Sequence, residues 1–220
     1  MEEVIESVGL GFGLRRKAYL VIKRLFDIFV SIISLLILIP LSILVKIAYV
    51  LTGDFHSVVF VQKRIGKDGK EFDFYKFRTM VPNADEILFQ TLSMDPILNE
   101  EYAINKKLKD DPRITKVGKI LRKLSIDELP QFVNVFFGEM SVIGNRPYLP
   151  REKRDMGKSF DEIVKTKPGL TGYWQVNGRS DVTFKKRLEL ETYYSNHCGL
   201  LMDIKIFFKT FKVVFGGKGK

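Results

Sequence analysis

The sequence predicts a helix-rich α+β fold with a membrane-embedded part, on three observations. Residues 28–45 form an uncharged apolar run with Pro40 inside it, two β-type segments flank Gly66-Lys67-Asp68-Gly69, and residues 114–124 and 200–215 carry apolar side chains at helical spacing. The expected architecture is a re-entrant helix-break-helix hairpin in the membrane, followed by a cytoplasmic domain with a small β-hairpin and amphipathic interfacial helices. At 220 residues the chain is long enough for one domain with a real core and an appended membrane element. The boundaries read as a flexible leader over 1–22, the membrane hairpin over 23–52 and the cytoplasmic domain over 53–220.

Composition narrows the field. Hydrophobic residues make up 45% of the chain and aromatics 12%, which excludes both a disordered chain and a many-pass membrane protein. The 36 Lys and Arg against 26 Asp and Glu leave a net charge of +10, pointing to nucleic acid, anionic lipid or phosphorylated small molecules as partners. Cys198 is the single cysteine, so no intrachain disulfide forms and a cytoplasm-facing fold is expected. It reads as an ordinary packed or surface residue rather than a catalytic thiol.

Residues 1–19 run from acidic Glu2, Glu3 and Glu6 through a Gly-rich stretch to Arg15, Arg16 and Lys17, a mobile lead-in without the features of a signal peptide. The run over 28–45 then reaches the length of a membrane-embedded helix, about 18 residues. Pro40 removes a helix hydrogen bond and crowds the preceding turn, so a break is expected near Ile39-Pro40, with Ser31, Ser34 and Ser42 available to satisfy backbone groups. Basic residues lie on both flanks: Lys23 and Arg24 before, Lys46, Lys63 and Arg64 after. Because such flanks stay in the cytoplasm, the pattern favours a re-entrant path with both ends on one side. A single-pass anchor and a buried soluble helix are the alternatives.

Residues 58–62 and 72–77 read as strands joined by the Gly66–Gly69 loop, and the second ends in Lys76-Phe77-Arg78-Thr79-Met80, two cations around an aromatic. Residues 82–111 are polar and helical in pattern, broken at Asp95-Pro96 and Asp111-Pro112. Residues 114–124 follow as a short basic amphipathic helix. Further on, residues 167–172 form a turn-rich entry to Tyr173-Trp174-Gln175-Val176-Asn177-Gly178-Arg179-Ser180, a loop whose aromatics, amides and guanidinium suit a nucleobase with its phosphates or else an ordinary surface turn. Residues 183–194 read as a helix. The last helix, over 200–215, places Leu200, Leu201, Ile204, Phe207, Phe208, Phe211 and Phe215 on one arc beside Lys205, Lys209 and Lys212, a pattern for a lipid interface or for the domain's own core.

The chemistry concentrates at Ser125-Ile126-Asp127-Glu128-Leu129-Pro130-Gln131. Ser125 and Glu128 fit a capping box, and Pro130 fits the first position of a helix. Either register puts both carboxylates near a helix N-terminus, which favours anions and keeps Asp127 ionised. An Asp attacks phosphorus to give an acyl phosphate when a divalent cation and nearby Arg or Lys offset the repulsion between anions. Lys76, Arg78, Arg122, Arg146 and Arg179 are the candidate offsetting charges. Adjacent helical residues point about 100° apart, so Asp127 and Glu128 divide into nucleophile and metal ligand or orienter.

With these residues stand others in a particular order. Val61-Gln62-Lys63-Arg64-Ile65-Gly66, Tyr75-Lys76-Phe77-Arg78-Thr79-Met80, Gly138-Glu139-Met140-Ser141-Val142-Ile143-Gly144-Asn145-Arg146-Pro147, Lys167-Pro168-Gly169-Leu170-Thr171-Gly172 and Gln175-Val176-Asn177-Gly178-Arg179 surround the Asp-Glu stretch and follow the apolar segment with Pro40. The chain thereby resembles the bacterial sugar transferases, monotopic polyprenyl-phosphate phosphoglycosyl transferases, over roughly residues 23–215. The resemblance implies transfer of a sugar-1-phosphate from a UDP-sugar to polyprenyl (undecaprenyl) phosphate at the cytoplasmic face of the bacterial inner membrane. It implies Asp127 as nucleophile, Glu128 as its partner, and Mg²⁺ held by Asp127 and Glu128. Lys76, Arg122, Arg146 and Arg179 match phosphate- and nucleotide-facing positions, and Glu191 and Asp203 match supporting acids. Family members usually carry Pro-Arg-Pro where this chain has Asn145-Arg146-Pro147, so Arg146 is expected to be held less rigidly. The chain reads as the catalytic unit with a short leader, without the multi-span N-terminal region of longer members.

The expected partners are therefore a UDP-sugar, polyprenyl phosphate and membrane lipid, with no nucleic acid, and the chain is compatible with a homo-oligomer. Two other functions fit parts of the sequence: a membrane-anchored basic binding protein, and a phosphohydrolase using the same Asp with water as acceptor. The sequence does not name the sugar or the glycan.

Overall fold

The computed structural model describes residues 2–105, 108–178 and 182–215. It is helix-rich with two small sheets. The first element, α1 (Glu2–Leu51), is one helix of 50 residues in place of the expected leader, helix and break. Helical backbone continues through Pro40, although proline supplies no N–H to the preceding turn. Ser31 Oγ and Ser42 Oγ donate back to the carbonyls of Asp27 and Leu38, a bond that competes with the ladder and helps bend helices. Residues 15–22, expected as flexible leader, are already helical here, and the Tyr19 hydroxyl donates to Asp203 Oδ2 at 2.9 Å.

Among the described residues α1 is the one helix long and apolar enough to cross a membrane, over Arg15–Leu51. Leu25, Phe29, Leu36, Ile37, Ile39, Ile43 and Leu44 are each more than half exposed, which rules out the buried soluble helix.

The remaining elements follow in short steps. They are β1 (Val59–Ile65), a 3₁₀ turn at Lys67–Gly69, β2 (Glu71–Phe77), α2 (Ala84–Met94), α3 (Pro96–Asn105), α4 (Lys116–Lys123) and a 3₁₀ turn at Ile126–Glu128. Next come α5 (Gln131–Phe137), β3 (Ser141–Ile143), a 3₁₀ turn at Pro150–Glu152, α6 (Lys153–Met156), α7 (Ser159–Ile163), β4 (Gly169–Thr171), α8 (Tyr173–Asn177), α9 (Phe184–His197) and α10 (Leu200–Phe215). The β1–β2 pair confirms the expected hairpin, and α2 and α3 separate at Asp95-Pro96 as read. The sequence reading missed β3 and β4, which pair in parallel with Ser141 opposite Gly169 and Ile143 opposite Thr171. A Cβ on Gly169 would stand 2.1 Å from the Gly144 nitrogen, so glycine is required where these two backbones meet.

The chain divides into two compact units. One comprises Met1–Leu35, Gln62–Phe74 and Gln131–Lys220, the other Leu36–Val61 and Tyr75–Pro130. In the first unit Phe72, Phe74, Val135, Met140, Val142, Ile143, Tyr194 and Ile206 form a core, with Phe26 and Val30 of α1 against it. Asp27, an acid that is nevertheless buried, explains how α1 is held there: its Oδ1 accepts from Ser141 Oγ and the Val142 N–H. A second cluster gathers Ile65, Tyr148, Met156, Ile163 and Leu188.

The helix α10 turns Asp203 and Ile206 inward, while Leu201 and Phe208 are 75% and 67% exposed. Of the predicted apolar arc, Phe207 packs against the core while Leu200, Leu201, Ile204, Phe208 and Phe211 stay exposed, and the buried Ile206 lies outside that arc. In the second unit the Tyr49 hydroxyl donates to the Arg78 carbonyl, and Phe77, Val117 and Leu121 are buried.

Candidate active site

The Asp127–Glu128 pair lies in the second unit, in the 3₁₀ turn between α4 and α5. The local sequence sets this turn in steps. Thr115 caps α4 by accepting from the Gly118 N–H at 2.8 Å, and α4 ends in Arg122 and Lys123. Ser125 then takes a left-handed conformation, φ 56°, and its side chain caps nothing. The capping box is therefore a correction: a residue at positive φ reverses the chain and lies outside the extended geometry of an N-cap. Pro130 immediately precedes α5, where its missing N–H costs no helical bond.

Two cations face the pair. Lys76 Nζ, from the end of β2, donates to Glu128 Oε1 at 3.0 Å. Arg122 Nε donates to Thr79 Oγ1 at 2.9 Å and contributes positive potential at Asp127. Burial pushes the Asp127 carboxyl up, Lys76 opposes that shift, Glu128 reinforces it and Arg122 opposes it. Desolvation and the neighbouring anion outweigh both cations. A carboxylate in that state gains from further positive charge. Close packing fixes the frame: a Cβ on Gly118 would lie 2.0 Å from the Thr79 carbonyl oxygen, so α4 rests directly on the strand end that positions Lys76 and Arg122.

Arg78, two residues from Lys76, does different work. It is 8% exposed, and its Nε, Nη1 and Nη2 donate to Ser57 O, Met80 O and Asp54 Oδ2 while the guanidinium covers the Tyr49 ring at 4.5 Å. Three of the five guanidinium N–H donors are thereby committed to the protein itself, which gives Arg78 a structural place.

The other predicted residues belong to the first unit. The Arg146 N–H donates to Glu191 Oε1 at 2.8 Å. Glu191 is fully buried, and burial pushes its carboxyl up to about 7 against the pull of Tyr148, Arg146 and Arg187. Arg64 Nη1 donates to the Pro147 carbonyl and the Ile65 N–H to the Tyr148 carbonyl, so the end of β1 braces the Arg146 loop. Asn145, where proline is the expected residue, supplies hydrogen bonds to the loop's surroundings. Its Nδ2 has acceptors in Ser195 Oγ at 2.7 Å, Thr166 Oγ1 at 3.2 Å and Ile163 O at 3.3 Å.

Asp203 accepts from Tyr19, from Lys23 at 2.5 Å and from Tyr194 at 2.8 Å, which makes it a clamp on α1. Arg179 lies outside the described residues. The loop proposed around it begins as α8, with Trp174 under the Arg187 guanidinium at 4.5 Å.

The match to known proteins decides the family. The bacterial sugar transferase family model covers residues 18–217. The chain belongs to the bacterial sugar transferase family. The exopolysaccharide production protein ExoY of Sinorhizobium fredii is 41% identical over 90% of this chain and 87% of its own length. The undecaprenyl-phosphate galactose phosphotransferase of Salmonella typhimurium is 42% identical over 94% of this chain but 43% of its own length. A UDP-glucose:undecaprenyl-phosphate glucose-1-phosphate transferase of Klebsiella pneumoniae is 37% identical, again over 39% of its length. The chain thus spans most of the ExoY protein and about two fifths of the two longer relatives.

Lys76, Arg122, Asp127 and Glu128 all belong to the second unit, and Arg146, Glu191 and Asp203 to the first. Among the described residues no three His, Cys, Asp or Glu gather as a metal cage. Two consecutive hard carboxylates, one of them short of positive charge, nonetheless fit Mg²⁺, which commonly takes one or two carboxylates and completes its shell with phosphate oxygens and water. Thr79 and Gly118 were not foreseen as supports; the sequence signal for them was only their proximity to Lys76 and Arg122.

Proposed function

We propose that this chain transfers a sugar-1-phosphate from a UDP-sugar to polyprenyl phosphate, through an aspartyl-phosphosugar intermediate on Asp127. The observation that carries the reading is that Lys76 and Arg122 both act electrostatically on the half-buried Asp127 carboxyl while Lys76 donates to Glu128. The names of the relatives support the substrates: an undecaprenyl-phosphate galactose phosphotransferase and a UDP-glucose:undecaprenyl-phosphate glucose-1-phosphate transferase.

In the first step a carboxylate oxygen of Asp127 attacks the β-phosphorus of the UDP-sugar. The bond from that phosphorus to the bridging oxygen breaks, and UMP departs with the electron pair. In the second step an oxygen of polyprenyl phosphate attacks the same phosphorus, and the Asp127 carboxylate leaves. Lys76 and Arg122 lower the repulsion between the anionic nucleophile and the anionic phosphate in both steps. Glu128, oriented by Lys76, and Asp127 would hold Mg²⁺, which supplies Lewis-acid stabilisation of phosphoryl charge when bound. The basic loop at Arg146 is assigned to nucleotide or phosphate binding, as is Arg179.

The apolar exposure of α1 and the open face of α10 suit a protein seated in the bacterial inner membrane with its polar part in the cytoplasm. A re-entrant course, which the continuous helix through Pro40 does not itself display, is the reading that keeps the basic flanks on one side.

The test is UMP release from a panel of UDP-sugars by purified protein, with and without polyprenyl phosphate. Sustained turnover with one sugar that depends on the lipid phosphate, with a lipid-linked phosphosugar as product, is expected. Sustained turnover with water alone would make the protein a phosphohydrolase. No release from any UDP-sugar would overturn the reading.

A further inference from the structure

The first unit contains a cavity of about 260 Å³ that the transfer reaction does not use. Arg16, Lys23, Arg24, Lys67, Lys165 and Lys167 line it, with Asp27 as the one lining carboxylate. None of these is among the residues assigned to phosphoryl transfer.

The positive charge there is poorly compensated. Asp27 Oδ1 is occupied by Ser141 and Val142, Lys23 is paired with Asp203 at 2.5 Å, and Lys165 with Glu162 at 2.6 Å. Arg24 spends Nη1 and Nη2 on the carbonyls of Val135 and Phe136. Among the described residues no carboxylate stands within ion-pair distance of Arg16, Lys67 or Lys167. Arg24 and Lys167 also converge, each reaching within 3.3 Å of the point where a Cβ on Gly138 would stand. Burial, then Arg24, push the Lys167 amine down, and Lys67 and Lys23 add to that shift. Like charges gathered in one recess raise the energy of the empty site and lower it for a bound anion.

The position of the cavity selects the source of that anion. Arg16, Tyr19, Leu20, Lys23, Arg24 and Asp27 line it from α1, in the roughly three turns before the uncharged run begins at Ile28. A rise of 1.5 Å per residue puts Arg24 about 6 Å before Ile28 along the helix, the depth of a headgroup relative to the acyl region. Leu20, Val21 and Leu25 of the same stretch are 53%, 60% and 63% exposed, so apolar surface continues past the cavity toward the uncharged run.

We propose that this cavity seats the phosphate of an anionic phospholipid, with Lys67 and Lys167 as its unpaired cations and the acyl chains running along α1. A phosphodiester on a lipid shares its chemistry with inorganic phosphate and with a polyprenyl phosphate monoester, and the test separates the three.

The full chain in uncharged detergent is titrated with short-chain phosphatidylglycerol, short-chain phosphatidylcholine, inorganic phosphate or a short polyprenyl phosphate, and its melting temperature is followed. Wild type is compared with Lys67→Gln/Lys167→Gln and with the charge-matched control Lys109→Gln/Lys185→Gln, both of whose sites are exposed. The expected result is a saturable rise with phosphatidylglycerol that phosphatidylcholine does not give. The Lys67/Lys167 variant should need about tenfold or more lipid for the same rise, on about 1 kcal/mol per basic residue near an anionic lipid surface, while the control matches wild type. Equal rises with the two lipids, or an unchanged double variant, would overturn the proposal. So would a rise from inorganic phosphate, or from polyprenyl phosphate alone, at concentrations where phosphatidylglycerol gives none. The wild-type comparison among ligands stands even if the double variant fails to fold.

Discussion

Lys76 Nζ stands 3.0 Å from Glu128 Oε1, joining the end of a strand to a carboxylate 52 positions later. The same amine is the leading influence holding the Asp127 carboxyl down against burial. One cation therefore serves both acids. Replacing it, as in Lys76→Met, removes that restraint, so Asp127 ionises at higher pH. The acid limb of kcat/KM should move to higher pH, and turnover at neutral pH should fall on the order of 10²-fold, the scale of one lost electrostatic stabiliser. A pH–rate profile checks this, and Lys76→Arg should recover part of the shift.

Ser125 distinguishes the turn from a capping box. At φ 56° with no capping bond, serine pays the left-handed strain that glycine avoids. Ser125→Gly should raise stability by up to about 1 kcal/mol after glycine's greater unfolded-state entropy is subtracted, measured by thermal unfolding in detergent. A Ser cap would instead lose stability on the change to glycine.

Glu191 makes stability depend on pH. Its carboxyl lies at 4.5 when unperturbed and at about 7 in the folded chain, because burial favours the neutral form. The folded state therefore binds more protons through this window. Stability should fall as pH rises from about 4.5 to about 7 and level off above, by about 3 kcal/mol at most. Glu191→Gln keeps an acceptor for the Arg146 N–H without the titration, and should flatten this part of the melting-temperature profile. An unchanged slope would assign the effect elsewhere.

Arg78 is predicted to be structural. Asp54→Ala removes the carboxylate that accepts from its Nη2 at 2.9 Å, and should cost about 2 kcal/mol, the scale of a hydrogen bond to a charged group. KM for the UDP-sugar should be unchanged in the folded fraction. Thermal unfolding beside steady-state kinetics separates this from a substrate-binding role, which would raise KM at constant stability.

Much of this arrangement was legible before the structure because its signals are local. The β-hairpin showed in its alternation and its Gly loop, α4 and α10 in helical spacing, and Asp127-Glu128 in the juxtaposition of acids with a nearby basic segment. What escaped depends on surroundings. The strands β3 and β4, three residues each, are too short to express a period of two. Arg78 and Arg122 look alike as letters, and only their neighbours show that one is enclosed by carbonyls and Asp54 while the other has Thr79 on one side and Asp127 in its field. Asp27 sits one position before the uncharged run and reads as its edge, whereas its carboxylate pins α1 to β3. Asn145 shows the same limit: proline's stiffness is visible in sequence, but the three acceptors that gather around the Asn145 amide are not.

The central claim is that Asp127 becomes covalently attached to the phosphosugar. Protein incubated with its UDP-sugar in the absence of lipid acceptor, quenched in acid and analysed by intact and peptide mass spectrometry, tests it directly. The account predicts one sugar-phosphate adduct on the peptide bearing Asp127, with a matching burst of UMP, and neither in Asp127→Asn. UMP release sustained by Asp127→Asn, or an adduct on another residue, would contradict it.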